Sequence, residues 1–99
     1  MPFDGTQSPI TMALTRARAL VEKGWIQKCM RSRDGVCIMG AVEHLAENLL
    51  YQRVNILLIQ AITEQQGRKM LPAEYNDTPD RTKEEVLAVY DRAIELSFR

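Results

Sequence analysis

The chain is short of the residues that usually carry an activity. Among 99 residues there are one histidine, one tryptophan and two cysteines. Cys29 and Cys37 are too few and too oddly spaced for a disulfide scaffold, so free thiols in a reducing compartment are expected. With His44 they make three soft ligands, and neither a C-x-x-C nor an H-x-x-x-H spacing is present. A structural zinc site needs four protein ligands and a catalytic one three, so neither a metal nor another cofactor is expected. The phosphate cradles G-x-x-x-x-G-K and G-x-G-x-x-G are missing, as is the G-x-S-x-G nucleophile elbow. No apolar run approaches membrane-spanning length, and no apolar signal core accompanies Asp4 and Gly5. An excess of one charge is lacking too, since thirteen basic residues cancel thirteen acidic ones. That balance speaks against a general nucleic-acid binder. A soluble, cytoplasmic chain without enzyme activity and without a membrane partner is the expectation.

What is present is a core and a helical rhythm. Hydrophobic residues make up 45% of the chain, enough for one domain over residues 8–99 behind a loose tail at 1–7. Tyr75 to Ser97 is the most completely specified stretch. Turn formers at 76–80 precede Thr82 and Glu85, which form a capping box. Val86, Leu87, Val89, Tyr90, Ala93, Ile94 and Ser97 then mark one buried face, and Arg99 closes the helix. At the other end, Ser8 and Pro9 are an N-cap and a first helical residue. Ile10, Ala13, Leu14, Ala17, Leu20 and Val21 form the stripe of that helix, and Gly24 is expected to end it in the left-handed conformation.

Between these two helices the rhythm is looser. Residues 25–30 and 36–38 fit a small β-hairpin around a 31–35 turn, or an ordered loop in its place. Residues 38–50 read as a second helix, with Gly40 tolerable only if another backbone packs close to it. A break is expected at Tyr51-Gln52-Arg53, with one long helix over 38–66 as the alternative. Residues 54–66 are apolar almost all round, which predicts a homo-oligomer with this helix at the interface. Residues 67–81 read as a connection. The fold class is therefore mainly α: a compact four-helix single domain with room for a small β-hairpin between helices 1 and 2.

Few side chains are left for function. Trp25 follows a helix end and is flanked by Arg18, Lys28 and Arg33; it either plugs the core or offers a ring to a base or a partner. Tyr75, Asn76, Asp77 and Arg81 make a polar cluster that either holds its own turn or faces a polar ligand. The first reading is a non-catalytic binding protein that blocks or sequesters an unidentified protein partner, in the style of a phage or mobile-element anti-defence accessory. The second is a binder of a small nucleotide-like ligand through Trp25, the basic residues and the 75–81 loop. The third is a small enzyme using Cys37 and His44, which would share a face on one continuous helix; a buried thiol and a surface histidine are the plainer reading.

Arg16-Ala17-Arg18-x-Leu20 through Gly24-Trp25, Cys37-x-x-Gly40-Ala41, and Tyr75-Asn76-Asp77 with Thr82-x-x-Glu85-Val86-Leu87 stand together over nearly the whole chain. In this the sequence resembles an uncharacterised family of small bacterial, largely actinobacterial, and phage proteins. It departs from that pattern at Tyr75, where the family has Trp, and in its short 31–36 turn. The resemblance implies no activity; it implies that Trp25, Cys37, Asn76 and Asp77 belong to a recurring framework.

Overall fold

In the computed structural model the described residues are 8–45 and 49–98, and they form four α-helices, one 3₁₀ helix and one hairpin. Helix α1 is Pro9–Lys23. Strands β1 (Arg31–Ser32) and β2 (Gly35–Val36) follow, then the 3₁₀ helix Gly40–Leu45. Helix α2 is Leu49–Gln66, α3 is Pro72–Asn76 and α4 is Lys83–Ser97.

The first and last helices begin as their sequences dictate. Ser8 Oγ accepts from the Thr11 N–H at 3.1 Å, with Pro9 at the first helical position. At α4, Thr82 Oγ1 accepts from the Glu85 N–H at 3.1 Å, and the Glu85 carboxylate accepts from the Thr82 N–H at 2.9 Å. The two helices pack along each other. Ala13, Leu14, Ala17 and Val21 face Val86, Val89, Tyr90 and Ala93 in one core with Val54, Leu58, Ala61 and Ile62 of α2. Thr11 and Ser97 hydroxyls meet at 2.6 Å where α1 begins and α4 ends. The tail expected at 1–7 and the closing role expected for Arg99 lie outside the described residues.

The middle of the chain departs from expectation in four ways. There are five helices among the described residues, since 67–81 contains α3. The proposed break at 51–53 lies inside α2, which begins at Leu49; Tyr51, Gln52 and Arg53 carry no Gly or Pro and lose little by staying helical. Of the expected 38–50 helix, Gly40–Leu45 is a 3₁₀ helix, with Val42 N–H donating to Met39 O at 3.1 Å in the tighter i→i+3 pattern; Leu49 and Leu50 belong to α2, and 46–48 lie outside the described residues. Finally, the hairpin is shifted into the expected 31–35 turn: Arg31 pairs with Val36, which keeps its expected place in the second strand, and Ser32 pairs with Gly35, leaving Arg33-Asp34 as the loop. Trp25 meets Val36 in a parallel bridge, so the 24–26 segment lies beside β2 rather than forming the first hairpin strand.

Two glycines explain the close approach of these segments. Gly24 has extended backbone, φ −175°, not the left-handed turn expected of it. A Cβ there would stand 2.5 Å from the Asp34 carbonyl oxygen, so Gly24 is required by contact with the hairpin. At Gly40 a Cβ would overlap the Met30 carbonyl. The helix cost of Gly40 is thus offset by a backbone approach that no other residue permits.

Candidate functional site

Asn76, at the end of α3, is fully buried, and its side chain binds the 25–38 segment at three points. Its Oδ1 accepts from Trp25 Nε1–H at 2.7 Å and from the Ile38 N–H at 2.9 Å. Its Nδ2 donates to Ile26 O at 3.1 Å and to Asp77 Oδ1 at 3.2 Å. The same Asp77 oxygen accepts from the Lys28 N–H at 2.8 Å, and Gln27 Nε2 donates to the carbonyls of Asn76 and Thr78 at 2.9 and 3.0 Å. Lys28 is held at φ +77°, a conformation a side chain normally avoids and the surrounding bonds must impose.

This network forms one side of a cleft of about 470 Å³. Lys28, Cys29, Met30, Cys37 and Met39 line it from the first segment, Tyr51 and Asn55 from α2, and Leu71, Pro72, Ala73, Asn76 and Asp77 from α3 and its approach. Asn55 Oδ1 is buried and has no hydrogen-bond partner among the described residues. Cys37 is 6% exposed, and its sulfur accepts from the Gly40 N–H at 3.2 Å. Cys29 is exposed, its thiol 3.8 Å from Arg31 O.

Of the residues singled out by sequence, Lys28, Asn76 and Asp77 line the cleft, and Trp25, outside that lining, is fixed against Asn76. The others serve the frame. Tyr75 is fully buried, and its hydroxyl donates to Gln65 Oε1 at 2.5 Å. Burial pushes the Tyr75 phenol up to about 12. Arg81 lies over the Tyr75 ring, 3.8 Å from its centroid, donates to Tyr75 O at 2.9 Å and pairs with Glu85 at 3.4 Å. Arg18 pairs with Asp91 across α1 and α4, and that hydrogen bond holds its pKa above the ordinary arginine value. Arg33 is exposed in the hairpin loop and lines a separate depression of about 410 Å³. His44 is exposed and Cys37 buried; the cleft lining includes Cys37 and omits His44.

Sequence reasoning passed over Gln27 and Asn55. The signal for Asn55 was there: an amide in the otherwise apolar run from Val54 to Ile59. Among the described residues no three His, Cys, Asp or Glu side chains gather as a metal site, and no helix is long and apolar enough to cross a membrane.

Fold and cleft together define a small, mainly helical domain built around a hairpin and a buried asparagine. The chain belongs to a family of unknown function, DUF6197, whose model matches residues 5–96. The expectation of an uncharacterised family is thereby met. No curated protein and no solved structure matches the chain.

Proposed function

We propose that this protein is a non-catalytic binding module that holds a small molecule in the cleft between residues 28–39, α2 and α3. The observation that supports this is Asn55 Oδ1, a buried acceptor without a partner among the described residues, beside a concave, mostly apolar surface. Buried polar atoms are almost always satisfied, and an orphan at a cleft wall asks for a donor from outside the chain. The volume of about 470 Å³ falls within the roughly 300–1,000 Å³ of small-molecule sites. Met30, Met39 and Leu71 offer an apolar bed, and Tyr51 a ring. Among the described residues Lys28 is the one cation lining the cleft, while Arg18 and Arg81 are engaged elsewhere. The ligand class therefore narrows from a nucleotide with its phosphates to a compact molecule carrying a donor and at most one acidic group.

Native mass spectrometry of gently purified protein tests this reading. An added mass should accompany the wild-type chain and disappear from Ala73→Trp, which fills the cleft from an exposed position on α3. A wild-type chain that carries no added mass and retains none from a metabolite extract would overturn it.

One observation favours a second, compatible reading, self-association. Leu49 and Ile56 are 84% and 62% exposed and stand two turns apart on one face of α2. A second copy of the chain would cover them.

A further inference from the structure

Sulfur is unevenly distributed in this molecule. The chain has two cysteines and five methionines, and both cysteines with two of the methionines line the same cleft. Cys29, Met30, Cys37 and Met39 come from two segments that the hairpin holds side by side. Beyond the Arg31–Val36 pair the ladder continues with the Cys37 N–H donating to Met30 O at 2.9 Å. Residues facing each other across such a pair have Cα atoms about 4.5–5.5 Å apart. Cys29 adjoins Met30, Met39 lies two residues past Cys37, and Gly40 lets the Met30 carbonyl approach more closely than any side chain would permit.

We propose that this wall of the cleft binds a soft monovalent cation, cuprous copper, through the thiolates of Cys29 and Cys37 and the thioethers of Met30 and Met39. The proposal rests on reading the cleft as the binding site and adds a second ligand class to it. Thiolate and thioether donors together select Cu(I), whereas zinc takes thiolate, imidazole or carboxylate. On binding, each thiol releases one proton to solvent and the copper keeps its oxidation state. Cys29 gives up its contact with Arg31 O, and Cys37 keeps the hydrogen bond from the Gly40 N–H. Two thiolates and one Cu(I) leave a net single negative charge, and Lys28 lines the same cleft to offset it.

The test is anaerobic titration of reduced protein with Cu(I) against a chromophoric cuprous chelator, read as copper withdrawn from the chelator. One equivalent per chain is expected. The Met30→Leu, Met39→Leu double variant keeps side-chain size and removes only the sulfurs, and its affinity should fall roughly tenfold or more; Cys29→Ser should fall further. Both are exposed or half-buried substitutions whose folding a thermal melt verifies, so the result does not hang on the buried Cys37. Wild-type protein that withdraws no copper would overturn the proposal, as would a double variant that binds as tightly as wild type. If copper fails while a small molecule is lost from Ala73→Trp, the cleft reading survives and only the cuprous site falls. If both fail, both fall.

Discussion

At the scale of single residues, Asn76 has the most depending on it. Asn76→Ala would strand the Trp25 indole N–H and the Ile38 amide, at a cost on the order of 3 kcal/mol. A denaturant titration should show that loss together with a red shift of Trp25 emission. Asn76→Asp keeps the acceptor, turns a donor toward Ile26 O and Asp77 into a second acceptor, and should destabilise at neutral pH as well. Tyr90 makes the parallel case in the core: its hydroxyl donates to Ile38 O at 2.6 Å, and burial, with Cys37 adding, pushes the phenol far up. Tyr75 is raised to about 12. A phenol whose folded pKa lies above its unfolded value of 10.0 contributes stability that is intact below that value and is lost as pH rises above it. The urea midpoint should therefore fall from about pH 10 upward, and fall less steeply in Tyr90→Phe, which starts about 1–3 kcal/mol lower. The sequence marked Asn76, Asp77 and Trp25 as unusual, but their partners lie about fifty positions away. Local pattern carries no information about such distances, so whether these residues face a ligand or hold the frame was not legible.

Elements divide by whether their signals are local. The capping box at Thr82 and Glu85 and the Ser8-Pro9 start were readable because each is complete within four residues. Thr82→Ala should cost about 0.5–2 kcal/mol in a thermal or urea melt. Hydrogen bonding from the Thr82 backbone holds the Glu85 carboxyl below its ordinary 4.5. A depressed carboxyl contributes stability that is present above the unfolded value and lost as pH falls through the folded one. The advantage of wild type over Glu85→Gln should accordingly shrink on acidification below about pH 4.5, as melts at successive pH values would record. The hairpin register and the 3₁₀ helix were not readable, because contact sets them. Met30 O occupies the space of a Gly40 side chain, and Asp34 O that of Gly24. Gly40→Ala must move the 30–40 backbone, and a circular dichroism melt should show a loss far beyond the gain of about 1 kcal/mol that alanine brings to an ordinary helix.

For the molecule as a whole, the described chain measures 40 × 32 × 25 Å around one continuous core. The sequence overstated how much of α2 would need a partner. Leu58, Ala61 and Ile62 are absorbed internally against α4, while Ile56 is the large residue of 54–66 left mostly uncovered. Leu49, one turn before that segment, extends the exposed face. Sedimentation velocity at micromolar concentration should give a mass above the 11.3 kDa of one chain for wild type and that of one chain for Ile56→Glu. A single-chain mass for wild type would remove the α2 interface.

The hydroxyl contact between Thr11 and Ser97 sets the start of α1 against the end of α4. Residues 8 and 98 could be joined by a short linker and the chain reopened at Gly67, which is exposed and has open space around it. Such a circular permutant should keep the Asn76 network and the cleft untouched. By the same proximity, two fluorophores attached at residues 8 and 98 would sit side by side, and their energy transfer would follow the docking of α1 on α4 as the protein folds.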